Sequence, residues 1–99
     1  MGLHYLNVIH TKDEVIVAAC DRELRGKTLR EGKLEVTVNP KFYGDRLETT
    51  EKCINEFAKA TILNLFGNEI VENAIKAGYI DRRNTIRIQG QLHAQLVKV

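Results

Sequence analysis

The chain is organised around one uninterrupted apolar stretch, Val15-Ile16-Val17-Ala18-Ala19-Cys20. Successive side chains of a β-strand point to opposite faces, so a strand over residues 14–20 would be apolar on both. Strands of that kind lie inside a sheet and are covered on both sides. Residues 3–10 have the composition of another strand, and the short polar turn at residues 11–14 predicts that the two pair as a hairpin.

Two helices are predicted further along the chain. Between residues 50 and 66 the apolar side chains recur at spacings of three and four, which places them on one face of a helix. Gly67 is a residue type that ends helices, and the apolar spacing resumes over residues 68–77, ahead of Gly78. The two helices are therefore expected to form a tight helical hairpin, with Asn64 inside the first of them.

Three shorter strands complete the expected structure, at residues 33–38, 85–88 and 94–99, with a turn at Gly90 between the last two. The order of strands and helices indicates an α+β protein. We expect a small, mostly antiparallel sheet with the helical hairpin packed on one face. Ninety-nine residues are enough for one domain, which we assign to residues 1–99.

Composition narrows the class of protein. Hydrophobic residues make up 43% of the chain and charged residues 28%, which is typical of a soluble globular domain. The apolar run at residues 15–20 is far shorter than the ~20 residues of a membrane-spanning helix. The N-terminus lacks the basic and apolar regions of a signal peptide. We therefore expect a cytoplasmic protein that does not associate with a membrane.

The net charge of +2 is small, but the charges are unevenly distributed. Residues 22–33 carry five basic side chains against two acidic ones, and residues 82–99 carry four basic side chains and no acidic one. Residues 48–72, between them, carry five glutamates against two lysines. Such polarity bears on the choice of partner, because basic segments attract nucleic acids and other anions.

The segment Gly90-Gln91-Leu92-His93-Ala94-Gln95 is the strongest candidate for a site. On a strand, the side chains of His93 and Gln95 share a face about 6–7 Å apart. Gly90 allows a ligand to approach the backbone, or an unusual turn, and nearby Arg87 would add a charge. These residues would bind a phosphate or carboxylate, or contact a base. The alternative is an edge strand with a half-buried, hydrogen-bonded histidine.

Two other groups of residues are candidates for contacts with nucleic acid. The first comprises basic side chains that would neutralise phosphates, namely Arg22, Arg25 and Lys27 in one segment and Arg82, Arg83 and Arg87 in the other. The second is Tyr43, on a turn where an aromatic ring can stack on a base. The alternatives are solvated loops for the basic residues and a core contact for Tyr43.

The residue pattern does not favour catalysis or metal binding. Cys20 and Cys53 are too far apart in sequence for a metal-binding pair and lie among apolar residues, as buried free thiols do. His4, His10 and His93 lack the HxxxH spacing of metal ligands. A catalytic Cys20–His93 pair would require a contact in the folded chain. We therefore expect no cofactor, no metal and no catalytic residue.

Several short motifs occur in the order and spacing of one known family. They are Cys20-Asp21-x-x-Leu24-x-Gly26-Lys27-Thr28, Glu31-Gly32, Phe42-Tyr43-Gly44, Ala60-Thr61-Ile62-x-Asn64-Leu65-x-Gly67, Ala74-Ile75-x-x-Gly78 and Ile88-x-Gly90-x-x-His93-Ala94-Gln95. Through these motifs nearly the whole chain resembles the archaeal domain-of-unknown-function family number 424. The resemblance implies an archaeal cytoplasmic protein of about this length, without an established activity and with only a loose link to RNA or translation.

Three functional hypotheses follow from the sequence. The leading hypothesis is a non-catalytic protein that binds RNA or a ribonucleoprotein. The second is a protein-interaction module that uses the acidic helical hairpin or a sheet edge, and it includes a homodimer. The third is a small-molecule or anion site around residues 90–95.

Overall fold

The computed structural model describes residues 2–98, which contain eight strands and three helices. The strands are β1 (Leu3–His10), β2 (Val15–Asp21), β3 (Thr28–Glu31), β4 (Leu34–Thr37), β5 (Leu47–Thr49), β6 (Ile62–Phe66), β7 (Thr85–Ile88) and β8 (Gln91–Val97). The helices are α1 (Pro40–Tyr43), α2 (Thr50–Phe57) and α3 (Asn68–Lys76). Within residues 2–98, none of the helices has the length and apolar composition needed to cross a membrane.

Six strands form one sheet in the order β5-β1-β2-β6-β8-β7, and β3 pairs with β4 in a separate hairpin. β2 is parallel to β6, while every other pair in the large sheet is antiparallel. The inner position of β2 explains its composition, because Val17 and Ala19 are buried on one face and Ala18 and Cys20 on the other. The predicted central strand and the β1–β2 hairpin are confirmed.

The two faces of the large sheet are covered differently. α2 and α3 pack on one face, where Phe57 and Ile70 join Leu63 of β6 in the main core. The β3–β4 hairpin and α1 cover part of the other face, over a smaller core that includes Tyr43 and Phe66. The α+β class is therefore confirmed, with a largely antiparallel sheet that carries α2 and α3 on one face and the short α1 on the other.

The prediction of a single helix over residues 50–66 is wrong. α2 ends at Phe57, and residues 62–66 form β6 in the middle of the sheet. Alternation along β6 directs Leu63 towards the helices and Asn64 towards the opposite face. Such a short apolar run fits both the helical and the strand period. It forms a strand here because it fills the position between β2 and β8 and pairs with both. α2 and α3 are neighbours on the sheet, but β6 connects them instead of a tight turn.

The β7–β8 hairpin turns at Gln89 and Gly90, whose φ angles are both positive, at 48° and 80°. This is the geometry of a type I′ turn, which matches the twist of two antiparallel strands. The predicted turn at Gly90 is confirmed, but β8 begins at Gln91, three residues earlier than expected, and Val99 lies outside the described residues. β8 lies between β6 and β7, so His93 is on an inner strand and not on an edge.

A buried polar network joins the ends of four elements. The carboxylate of Asp21 accepts hydrogen bonds from the backbone N–H groups of Glu69 and Ile70, both at 2.9 Å, and thereby caps α3. Nδ1 of His4 lies 3.2 Å from the same carboxylate, and its Nε2 lies 2.8 Å from Oγ1 of Thr50. The network thus ties β1, β2, α2 and α3 to one another.

Candidate ligand groove on the sheet

An open groove lies on the partly covered face of the large sheet. It consists of two adjoining depressions, each of about 300 Å³, that meet at His93, and we call them together the His93 groove. Seven of its eleven lining residues have polar side chains: Thr37, Asn39, Tyr43, Asn64, Asn84, His93 and Gln95. The remaining lining residues are Val36, Phe42, Phe66 and Ile86. No acidic side chain, lysine or arginine lines the groove within residues 2–98.

His93 is held in one orientation by a hydrogen bond and an aromatic contact. Its Nδ1 lies 2.8 Å from the backbone oxygen of Leu65, and a carbonyl oxygen can only accept, so Nδ1 carries the proton. The ring centroid lies 4.7 Å from that of Phe66. Burial lowers the pKa of His93 below its usual value of 6.5, opposed by the hydrogen bond to Leu65. The neutral ring therefore presents the lone pair of Nε2 as an acceptor.

Tyr43 and Asn64 line the same depression as His93. The Tyr43 hydroxyl donates a hydrogen bond of 2.6 Å to Oδ1 of Asn64, and burial raises the pKa of this phenol far above its usual range. Nδ2 of Asn64 has no partner in residues 2–98, and no buried side-chain polar atom there is unpaired, so Nδ2 opens towards the groove. Tyr43 is only 4% exposed, which leaves little of its ring accessible for the predicted stacking on a base.

Gln95 belongs to the His93 groove, but Gly90 does not. Gln95 is exposed, faces Asn64 across the β6–β8 ladder and makes no side-chain hydrogen bond within the described chain. The carbonyl oxygen of Gly90 instead accepts hydrogen bonds from Nδ2 of Asn68, at 3.0 Å, and Nη1 of Arg87, at 3.1 Å. The structure brings His93 and Gln95 together as expected and gives Gly90 a structural role in the turn.

Arg87 projects away from the His93 groove. It is paired with Leu92 across the β7–β8 ladder, and the Leu92 side chain packs beneath the helices. Directly paired residues share a face, whereas His93 lies on the next position of β8 and faces the other way. The expectation that Arg87 adds a charge beside His93 is therefore wrong.

The other two arginines of the second basic segment are in ion pairs. Arg82 binds Glu72 through two hydrogen bonds of 2.6 and 2.8 Å. Arg83 binds Asp81 through bonds of 2.7 and 3.1 Å. Their side-chain hydrogen bonds lower the pKa of both carboxyl groups. A phosphate would have to compete with these carboxylates for Arg82 and Arg83, which weakens the predicted role of that segment.

The first basic segment is less engaged with acidic groups. Arg22 and Lys27 are exposed, Arg25 is half-buried, and none of the three forms an ion pair within residues 2–98. The two basic segments meet where the backbone N–H of Arg30 donates to the side chain of Gln89, at 2.7 Å. That contact lies at the opposite end of β7 from Arg82 and Arg83.

Comparison with known proteins places the chain in a family. The sequence profile described as "Protein of unknown function (DUF424)" matches residues 9–99. The chain belongs to the DUF424 family. A solved structure, described as an uncharacterized conserved protein from Methanopyrus kandleri, has a TM-score of 0.82 with 19% identity, over 98% of this chain and 94% of that one. At that identity, the likeness establishes the fold of the DUF424 chain alone. No curated protein matches the sequence.

The buried polar group of Thr50, His4 and Asp21 in this DUF424 chain was not predicted from the sequence. Thr50, His4 and Asp21 have the connectivity of a hydroxyl–imidazole–carboxylate relay. However, His4 is fully buried, its Nε2 also lies 3.2 Å from Oε1 of Glu69, and the Asp21 carboxylate already caps α3. The group is better suited to a structural role. Its signal in the sequence was a histidine and an aspartate at apolar strand positions.

Neither cysteine of the DUF424 chain is suited to catalysis. Cys20 and Cys53 are buried, and burial raises the pKa of each thiol to about 12. Such thiols are poor nucleophiles at neutral pH. β6 lies between the strand of Cys20 and that of His93, so the backbones of these two residues are about 10 Å apart. A catalytic Cys20–His93 pair would require a direct contact. Within residues 2–98, no three His, Cys, Asp or Glu side chains are grouped as metal ligands.

Proposed function

We propose that this protein binds single-stranded RNA without catalysing a reaction and holds a base in the His93 groove. The observation that carries the proposal is the half-buried ring of His93, which packs on the buried ring of Phe66 and lies beside unused amide groups at one open site. Proteins that recognise single-stranded RNA stack bases on aromatic side chains, including histidine, and read base edges with hydrogen bonds. Some of them use the open face of a β-sheet for this purpose.

The hydrogen-bonding groups of the groove complement the edge of a base. For a base stacked on His93, Nδ2 of Asn64 donates and the amide of Gln95 both donates and accepts, while Nε2 of His93 accepts in the plane of its ring from a group beside that base. Base edges present neighbouring donors and acceptors of this kind. A lining without a charged side chain suits an uncharged base better than a phosphate or a carboxylate. The same property disfavours an anion site formed by His93 and Gln95.

Phosphates would be held by the first basic segment. Arg22, Arg25 and Lys27 form no ion pair in the described structure and so are available without breaking one. Contacts with three phosphates would make log Kobs fall with log salt concentration with a slope of about −2 on single strands. The affinity would therefore depend on salt, although less steeply than that of a strongly basic protein.

Replacing His93 with alanine is expected to weaken the binding of RNA about tenfold, because base stacking on an aromatic side chain is worth ~1–3 kcal/mol. Fluorescence anisotropy with a labelled single-stranded RNA oligonucleotide would measure the change. His10→Ala is the matched control, since His10 is exposed at the end of β1, outside the groove. Gln95→Ala serves as a second groove variant, because Gln95 is exposed and its loss leaves the core intact. Equal affinities of the His93 and His10 variants would contradict the proposal.

The pH dependence of binding tests the acceptor role of Nε2. The pKa of His93 is lowered by burial, so the ring is neutral above its usual value of 6.5. Protonation becomes appreciable only below that value, where Nε2 turns into a donor. The stability that the neutral ring contributes is likewise present above 6.5 and lost as the pH falls through the lowered pKa. The ratio of the RNA affinity of the wild type to that of His93→Ala should therefore be constant above pH 6.5 and become smaller at lower pH. A ratio that does not change with pH would exclude the acceptor role.

Self-association is a second candidate function, favoured by the exposed edge at β7. Ile86 on this edge strand is 53% exposed, and Val97 on the same face of the sheet is 55% exposed. An unpaired strand edge can add a strand from a second copy. Sedimentation velocity should then give the mass of a dimer for the wild type and that of a monomer for Ile86→Lys. A monomer at every wild-type concentration would rule this candidate out.

A further inference from the structure

A second cavity, of about 320 Å³, lies on the other side of α1 from the His93 groove. Arg25, Pro40, Lys41, Gly44 and Asp45 line it, and we call it the Arg25 cavity. Phe42 and Tyr43 of the same helix line the groove. An α-helix with its side chains is about 10–12 Å across, so a short oligonucleotide can reach both sites at once.

Arg25 is held in a fixed orientation in this cavity. Its Nε donates a hydrogen bond of 2.6 Å to the backbone oxygen of Gly44. The guanidinium carbon lies 4.9 Å from the centroid of the Tyr5 ring, which supports the group from one side. The two terminal nitrogens make no hydrogen bond within residues 2–98. They retain the paired donors with which an arginine binds two oxygens of one phosphate.

The cavity places two basic side chains, Arg25 and Lys41, beside one carboxylate, Asp45. Four other arginines form ion pairs: Arg30, Arg46, Arg82 and Arg83. Among residues 2–98, neither Arg25 nor Lys41 has a carboxylate within salt-bridge distance, although Asp45 lines the same cavity. The cavity therefore holds two cations without acidic partners and one exposed carboxylate that would repel an anion.

We propose that the Arg25 cavity is a phosphate subsite, in which Arg25 binds two phosphate oxygens and Lys41 supplies a second positive charge. Its ligand would be a phosphodiester of the RNA strand whose base occupies the His93 groove, so this assignment rests on the proposed function. Free phosphate offers the same chemistry and is the other source of the anion. Asp45 limits the affinity for both through its negative charge.

Three variants and one control test the subsite. Lys41→Gln should weaken the binding of a single-stranded RNA oligonucleotide about threefold to tenfold at low salt and make the slope against log salt shallower by ~0.7. Asp45→Asn should strengthen binding, because it removes the repulsion. Arg25→Gln should weaken it further, but this variant also loses the bond to Gly44. Lys52→Gln is the control, since Lys52 is an exposed lysine of α2 outside both sites.

A titration with inorganic phosphate, followed by NMR of the Arg25 Nε–H group, separates this proposal from the proposed function. Shifts of this signal that saturate, and do so at lower phosphate concentration in Asp45→Asn, support the subsite even if RNA does not bind. RNA binding that is the same in all three variants as in Lys52→Gln would overturn the subsite and leave the groove proposal standing. Absence of both RNA binding and phosphate shifts would overturn both.

Discussion

Replacing Gly67 with alanine is expected to lower the free energy of unfolding by about 4 kcal/mol. Gly67 has a φ of +125°, a backbone conformation that costs other residues ~1–3 kcal/mol. An added Cβ would also lie 2.7 Å from Cβ of Asp21 and would overlap its carboxyl group. The carboxylate would then move away from the backbone N–H groups of Glu69 and Ile70, and charged hydrogen bonds are worth ~1.5–3 kcal/mol each.

Gly78→Ala is the matched control for this prediction. Gly78 also has a positive φ, of +86°, but no atom beyond its two chain neighbours lies within 4 Å of the position that a Cβ would take in the described structure. In this variant, backbone strain alone should lower the free energy of unfolding, by about 1 kcal/mol. Urea denaturation of both variants measures the difference. Similar losses for the two variants would show that the contact of Gly67 with Asp21 contributes nothing beyond strain.

Replacing Asp21 with alanine is expected to cost about 3–5 kcal/mol, because it breaks a buried, hydrogen-bonded network. The buried N–H of Ile70, the part-buried N–H of Glu69 and the buried Nδ1 of His4 would lose their acceptor. α3 should then fray from its first turn, since the carboxylate is its cap. Chemical denaturation gives the free energy, and hydrogen exchange of the Glu69 and Ile70 amides locates the change.

Asp81→Ala provides the comparison for the second prediction. Asp81 caps a single turn of 3-10 helix, Arg82–Asn84, through a hydrogen bond that its side chain accepts from the backbone N–H of Arg83, but it is exposed to solvent. Its replacement should change stability little. Combining Asp21→Ala with Gly67→Ala should cost less than the sum of the two, because the first removes the group that the new Cβ would overlap. Strict additivity in the double variant would contradict the explanation given for Gly67.

Most strand positions could be predicted from the sequence because the relevant signals are local. The apolar run of β2, the alternation of β4 and the turn at Gly90 each specify a structure within a few residues. β6 was assigned to a helix because Ile62, Leu65 and Phe66 also fit the helical period. Over five residues, propensity alone does not distinguish a helix from a strand. The strand forms because residues 62–66 make hydrogen bonds to β2 and β8.

The candidate site was only partly predictable. His93 and Gln95 were placed on one face because strand alternation is a local rule. Asn64 was missed because it was expected inside a helix, and Arg87 was placed beside His93 although it projects from the opposite face. The pairing of Arg82 with Glu72 and of Arg83 with Asp81 changed the interpretation of the second basic segment. Counting charges along a segment of sequence does not reveal which basic side chains form ion pairs in the folded chain.

By itself, the sequence determined the α+β class, the central position of β2, the β1–β2 hairpin and the resemblance to the DUF424 family. All of these depend on periodicity, turn chemistry or the order of motifs along the chain. Only the tertiary structure decided that residues 62–66 are a strand, that Asp21 caps α3 and that Asn64 joins His93 in an open groove. Each of these depends on contacts between residues far apart in sequence, whose energies arise from burial and hydrogen bonding in the folded chain.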